Sequence, residues 1–232
     1  MEQLIKLNNQ TAGRDKIARL LQYLSRFLWH RLQQQKKEGV TGIKNLEYQL
    51  STFRKLLRFG RSIDAIYGTL PLFQQDDSAV RYTLILSKIC NSLFLLADHI
   101  LWLGRADVCN VTTEKWSQIS NKYWLYSITM NLVRDFYEIS CLLNEQKSSI
   151  LPKNGIHNIN DVYSAVLKSL IVIHSNKNVL IDTIKNGCDF FIPLTALGHI
   201  KFSPGTIGIL GTISSLAGLL VLLDPKKKLT PA

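Results

Sequence analysis

The feature that most constrains this chain is a run of twenty uncharged residues near its C-terminus, Pro204–Leu223. As an α-helix this run extends about 30 Å, which matches the hydrocarbon core of a bilayer. A helix of that length in a soluble protein needs a polar face, whereas the polar side chains here are two threonines and two serines. A fully buried core helix is the alternative. We predict a transmembrane helix over 204–223, followed by a short basic tail over 224–232.

Basic residues are concentrated in the first quarter of the chain. The net charge is +11, and residues 1–61 contain thirteen Lys and Arg against four Asp and Glu. This asymmetry favours an anionic partner, either nucleic acid or acidic lipid. The zinc-finger, RRM and KH patterns are missing, and a predicted span is present. We therefore expect anionic membrane lipid and no nucleic acid, with a soluble nucleic-acid adaptor as the weaker alternative.

The whole chain has a helical pattern, and no alternating strand pattern of useful length occurs. We predict an all-α, membrane-associated helical bundle with N-terminal amphipathic helices and a C-terminal transmembrane helix. Residues 1–70 are predicted to form a basic amphipathic membrane-interacting region, with helices over 14–35 and 44–67. Residues 80–200 are predicted to form the helical bundle.

The second of these helices, over 44–67, is basic on one side and aliphatic and aromatic on the other. That pattern is typical of a helix lying in a membrane interface, where each basic side chain contributes about 1 kcal/mol of binding. An ordinary surface helix packed on a soluble core is the alternative. The residues predicted to bind the membrane are Arg54, Lys55, Leu57, Arg58 and Arg61.

Two further apolar helices carry a polar stripe each. The segment 84–103 is the predicted first membrane span, and 123–143 repeats its design. A lone span with two charges is marginal, but a stripe that faces protein makes it favourable. We expect Lys88 and Asp98 to meet Glu138 and Arg134 within the membrane. Two soluble helices with solvated stripes are the alternative.

Small residues recur four apart in the C-terminal span. The pairs are Gly211 with Ser215 and Ser214 with Gly218. Such spacing lets helix backbones approach closely, which predicts self-association through the span. The alternative is that glycine and serine are simply frequent in spans.

The chain offers no pattern for catalysis or cofactor binding. A P-loop, a nucleophile elbow, an H-E-x-x-H motif and a glycine-rich dinucleotide loop are all missing, and no two histidines have metal-ligand spacing. We expect no enzyme activity, no cofactor and no metal.

Charge also predicts orientation. Lys226, Lys227 and Lys228 follow the C-terminal span, and a single lysine, Lys201, shortly precedes it. The C-terminus should therefore face the cytosol. Because the basic N-terminal helices should face the cytosol too, an even number of crossings is expected. The segment 84–103 supplies the second crossing, or 123–143 in its place.

Five segments, in order, resemble the peroxisomal membrane protein 11 (peroxin 11) family, closest to its animal alpha and beta forms. They are Asn9-Gln-Thr-Ala-Gly-Arg-Asp-Lys16, Ser51-Thr-Phe-Arg-Lys-Leu-Leu-Arg-Phe-Gly60, Asp98-His-Ile-Leu-Trp102, Leu132-Val-Arg-Asp-Phe-Tyr-Glu-Ile-Ser140 and Ser203-Pro-Gly-Thr-Ile-Gly-Ile-Leu-Gly211.

The resemblance implies a multi-pass peroxisomal membrane protein that elongates the membrane and promotes peroxisome proliferation and fission. It also implies a homo-oligomer, membrane tubulation by the amphipathic helix, and assembly with tail-anchored fission adaptors and a dynamin-related GTPase. A pore-forming oligomer that passes small metabolites is the alternative that the family suggests.

Overall fold

The computed structural model describes Ile5, residues 7–147 and residues 159–230, and in this part it has eight α-helices and no strand. The prediction of an all-α helical bundle is confirmed. The helices are α1 (Thr11–Gln34), α2 (Val40–Leu57), α3 (Arg61–Tyr67), α4 (Ser78–Arg105), α5 (Thr113–Glu145), α6 (Ile159–Ser175), α7 (Lys177–Ala196) and α8 (Pro204–Leu223). Two 3₁₀ turns, Leu70–Gln74 and Pro225–Lys227, accompany them.

The chain itself marks several helix boundaries. The Asp77 carboxylate accepts hydrogen bonds from the first backbone amides of α4, and the Ser203 hydroxyl caps α8 in front of Pro204. The predicted helix over 44–67 is instead two helices. Gly60 has a φ of 82°, a left-handed conformation that favours glycine, and it separates α2 from α3.

Successive helices pack side by side and alternate in direction. The beginning of α1 meets the end of α2, where Asp15 pairs with Arg54. The stretch from α2 to the first 3₁₀ turn packs antiparallel to α4, and α5 also packs antiparallel to α4. Helix α7 packs between α5 and α8, while α6 makes few contacts. The result is a bundle in which neighbouring helices are mostly antiparallel.

Helices α1 and α8 pack unusually closely, because glycines of α8 face α1. A Cβ atom on Gly211 would lie 2.2 Å from the Tyr23 ring, and one on Gly208 would lie 2.7 Å from the backbone nitrogen of Phe27. We call this close contact between the two helices the α1–α8 seam. At its two ends, Gly205 lies against His30 and Gly218 lies against Lys16. Helix α1 therefore runs antiparallel to α8 along nearly its whole length.

The polarity of the bundle is inverted relative to a soluble protein. The buried ionic side chains are Asp15, Arg19, Arg54, Asp98, His99, Arg134, Asp135 and Asp189. Large apolar side chains point outward instead, among them Leu21, Leu24 and Leu28 of α1, Phe53 and Leu56 of α2, Leu93 and Leu96 of α4, and Ile209, Ile213 and Leu216 of α8. Soluble proteins almost never bury so many charges, and they rarely expose so continuous an apolar surface.

Two of the described helices, α4 and α8, are long and apolar enough to cross a membrane. Helix α8 has the bounds predicted for the C-terminal span, and α4 contains the segment 84–103 predicted for the first.

The α1–α8 seam predicts the effect of one added methyl group. Alanine favours a helix over glycine by about 1 kcal/mol, yet Gly211→Ala places its Cβ inside the Tyr23 ring and should cost about 1–3 kcal/mol. The matched change Gly187→Ala in α7 meets open space and should be neutral or stabilising. Thermal unfolding of the purified protein in detergent measures both. Equal midpoints for the two variants would contradict the close α1–α8 contact.

Candidate functional site

The basic face of α2 turns into the bundle. Arg54 donates from Nε to Asp15 Oδ1 at 3.0 Å and from Nη1 to Gln22 Oε1 at 2.7 Å. Lys55 Nζ donates to Asp98 Oδ1 at 2.6 Å, and Arg58 Nη2 lies 2.5 Å from the other oxygen of Asp98. Asp98 is fully buried between these two cations. The basic face thus forms ion pairs with α1 and α4.

This arrangement differs from the predicted orientation of α2, in which the basic face lies against lipid headgroups. The reason is that Asp15 and Asp98, on neighbouring helices, attract the same side chains. Arg61 is the most exposed of the four basic residues in this set, with 42% of its side chain accessible and its guanidinium 3.9 Å from Asp15. Leu57 is half-buried. Lipid binding by these five residues stays a prediction.

Because the charges turn inward, the apolar face of this region turns outward. Its exposed members are Phe53 and Leu56 of α2, Phe59, Ile63, Ile66 and Tyr67 in and before α3, and Leu70 and Phe73 of the following 3₁₀ turn. We call these eight residues the N-terminal apolar surface. Ile63 and Tyr67 are more than 70% exposed, which in water is costly for side chains of this size.

A second set of ion pairs joins α7 to its neighbours. Arg19 of α1 pairs with Asp189, and Arg134 of α5 pairs with Asp182 at 2.5 Å and with its own neighbour Asp135 at 3.0 Å. Asn186 completes the set by donating to Asp135 at 2.6 Å. The charged interior therefore continues from α2 across to α7.

The polar stripes of α4 and α5 do face each other, but their charges pair elsewhere. Ser87 donates to Asn131 at 2.6 Å across this contact. Asp98 forms salt bridges with Lys55 of α2 and with Arg58, the residue after α2. Arg134 forms salt bridges with Asp135 of α5 and Asp182 of α7. Within the part of the chain that the structure describes, no ion pair joins Asp98 to Arg134, and Glu138 takes part in none. Asp98 and Arg134 thus have other partners than the predicted ones, while the pairing predicted for Lys88 and Glu138 stays a prediction.

Of the four small residues predicted to mediate self-association, Gly211 and Gly218 lie against α1 of the same chain. Ser214 and Ser215 are fully buried, Gly211 contacts Tyr23, and Gly218 makes room for Lys16. Self-association through them stays a prediction.

Sequence reasoning missed the acids that organise the interior. No sequence pattern singles out Asp15, Asp182 or Asp189 as a partner in a buried ion pair. Their arginine partners lie 39 to 170 positions away in sequence. Asp77 precedes α4 and lies outside the two candidate spans. Its carboxylate accepts a hydrogen bond from the Tyr137 hydroxyl of α5 at 2.7 Å. This hydrogen bond, together with those from backbone amides, lowers the pKa of Asp77.

A pair of double-mutant cycles distinguishes the observed ion pair from the one predicted from the sequence. Asp98→Asn combined with Lys55→Met should show a coupling of about 1 kcal/mol or more in the free energy of unfolding, because the two side chains contact directly. Asp98→Asn combined with Arg134→Met should be additive within about 0.5 kcal/mol. Unfolding in mixed detergent micelles measures both. Coupling to Arg134 and not to Lys55 would contradict the observed geometry.

Comparison with known proteins identifies the family of the chain. The sequence model described as peroxisomal biogenesis factor 11 (PEX11) matches residues 1–223. The chain is 30% identical to peroxisomal membrane protein 11B of Homo sapiens, with all of both chains covered. It is 33% identical to peroxisomal membrane protein 11A of Mus musculus, with 99% of both chains covered. It is 30% identical to the peroxisomal membrane protein 11 homolog of Dictyostelium discoideum, with 94% of this chain and 92% of the relative covered.

No solved structure matches the chain. The resemblance seen in the sequence motifs is confirmed over the full length. The chain belongs to the peroxisomal biogenesis factor 11 family, whose members are peroxisomal membrane proteins that act in peroxisome biogenesis and proliferation.

Proposed function

We propose that this protein elongates and remodels the peroxisomal membrane by burying its N-terminal apolar surface among lipid acyl chains, and that it thereby promotes peroxisome proliferation and fission. The observation that carries the proposal is the outward direction of that surface, from Phe53 to Phe73, while the neighbouring charges are paired inside the bundle. Eight large apolar side chains in one short stretch need an apolar environment. The peroxisomal membrane, in which members of this family reside, provides such an apolar environment.

The packing of the bundle supports the depth of insertion. If α8 crosses the bilayer, α1 lies at the same depth, since its contacts extend from Gly205 to Gly218 of α8. Helices α2 and α3 pack along α4, since Lys55 of α2 contacts Asp98 and Ser62 of α3 contacts Ser92. By the same reasoning, α2 and α3 lie at the same depth in the bilayer as α4. Where the N-terminal apolar surface inserts into one leaflet, it adds area to that leaflet alone, and many copies held together would bend the bilayer into a tube.

The topology that we propose has both termini in the cytosol. The start of α1 lies beside the end of α8, so the chain enters and leaves at the same end of the bundle. Three lysines, Lys226 to Lys228, follow α8 at that end, and clustered lysines favour the cytosolic face. These lysines, together with the half-exposed Arg61, are the groups best placed to attract anionic lipid.

We also propose that the protein self-associates and assembles with fission adaptors and a dynamin-related GTPase. Support for self-association comes from the outer side of α8, where Ile209, Ile213 and Leu216 remain exposed after α1 has packed on the opposite side. A second copy could pack on this side without disturbing the α1–α8 seam.

Vesicle tubulation by the full-length protein tests the proposal. Ile63→Glu with Ile66→Glu puts two charges on the N-terminal apolar surface, and a charge inside the bilayer costs about 2–3 kcal/mol. Tubulation of vesicles containing anionic lipid, observed by electron microscopy, should be lost.

The control variant, Gln33→Glu with Gln34→Glu, adds the same two charges at exposed polar positions of α1 and should tubulate normally. Unchanged tubulation in the Ile63/Ile66 variant would contradict the proposal. Charge reversal of Arg54 and Arg58 is a poorer test, because it also breaks the buried pairs with Asp15 and Asp98.

A second candidate function is a pore for small metabolites. The polar interior supports it, because hydrophilic side chains at membrane depth are the lining that a conducting path needs. Conductance in planar bilayers distinguishes the two functions, since remodelling alone predicts none.

A further inference from the structure

A cavity of about 470 Å³ lies inside the bundle, between α1, α2, α4, α5 and α7. Its volume falls in the range of small-molecule sites. The basic residues that line it are Lys16, Arg19, Arg26, Arg54, Lys55, Arg58, Arg61, Arg105 and Lys185. The acidic residues that line it are Asp15, Asp98 and Asp189. Asparagine and serine side chains complete much of the polar wall.

The positive charge of this cavity is not balanced by the described acids. Nine basic side chains face three aspartates, and two further carboxylates, Glu47 and Asp182, pair with Arg26 and Lys185 from outside the lining. Counted as formal charges, four positive charges remain in excess. Three arginines, Arg54, Arg58 and Arg61, each have a nitrogen atom within 4 Å of the Asp15 carboxylate, so they share one negative charge. Sheltered charges without counter-ions are strongly unfavourable, so a cavity of this kind favours an anion.

Several basic residues in the wall have donor atoms that no carboxylate accepts from. Lys16 makes no salt bridge or hydrogen bond with any residue that the structure describes, and Arg105 donates only to the hydroxyls of Ser51 and Thr52. Arg19 is 6% exposed, and its Nε is buried without an acceptor although Nη2 pairs with Asp189. These donors are available to a ligand.

We propose that this cavity binds a phosphate-bearing anion, with Lys16 and the arginines of α1 and α2 as its ligands. Phosphate suits the site because its oxygens accept several charge-assisted hydrogen bonds at once and arginine presents donors in pairs. Two sources have this chemistry: the headgroup of an anionic phospholipid that enters the bundle, and a soluble phosphate compound. The proposal is independent of membrane remodelling and of conduction.

The soluble source is tested with inorganic pyrophosphate as the probe. The full-length protein is placed in nanodiscs of phosphatidylcholine, and binding is measured by calorimetry. Lys16→Met removes one ligand and leaves no buried carboxylate unpaired, so the dissociation constant should rise about tenfold. The control Lys37→Met changes an exposed lysine between α1 and α2 and should bind like the wild type.

The lipid source is tested by adding phosphatidic acid to the nanodiscs and counting lipids that stay bound to the protein in native mass spectrometry. Retention of phosphatidic acid by the wild type and by Lys37→Met, but not by Lys16→Met, supports a headgroup in the cavity. A Lys16-dependent response to pyrophosphate supports the soluble source.

No saturable binding of either probe to the wild type would overturn the proposal, and so would binding that Lys16→Met leaves unchanged. The wild-type result remains decisive even if the Lys16 variant does not fold. Neither experiment measures vesicle shape, so a negative result here leaves the remodelling proposal standing.

Discussion

The rest of the structure depends on the salt bridges that α2 makes with Asp15 and Asp98. These contacts fix the rotation of α2 about its own axis, because Arg54 must face α1 while Lys55 and Arg58 face α4. Once the basic side is held inside, the opposite side has to face outward. Breaking one member of a buried pair leaves an uncompensated charge, which typically costs about 3–5 kcal/mol. The ion pairs therefore specify an orientation that hydrophobic burial in water would reverse.

The seam between α1 and α8 makes this orientation possible. Glycines on α8 let α1 approach it closely, while Asp15 and Arg19 of α1 pair with α2 and α7, so a charged helix is held against the most apolar of the described helices. The consequence is a protein whose outer surface suits lipid and whose interior is polar. The membrane remodelling that we propose relies on the first property, whereas a pore or the proposed anion site relies on the second.

Much of this architecture could be predicted from the sequence. The helical class, the bounds of α8 and the full-length family resemblance follow from local pattern and motifs. The helical wheel of α2 also separates its two faces correctly, but it cannot tell which face is buried when the solvent is lipid. The ion-pair partners are equally invisible to local pattern, since Arg19 and Asp189 lie 170 positions apart and meet only through the fold. The break at Gly60 was missed because the apolar pattern continues across it.

The inverted polarity is tested most directly by spin-label accessibility on α2. The full-length protein, with its four native cysteines replaced by serine, is labelled at Leu56→Cys or at Gln35→Cys and reconstituted in vesicles. Leu56 is an outward apolar position, and Gln35 is an exposed polar residue beyond the end of α1. The label at 56 should be relaxed by oxygen, which concentrates in the acyl region, and the label at 35 by a water-soluble nickel complex. A label at 56 that responds to nickel as strongly as the one at 35 would contradict a lipid-facing apolar surface on α2.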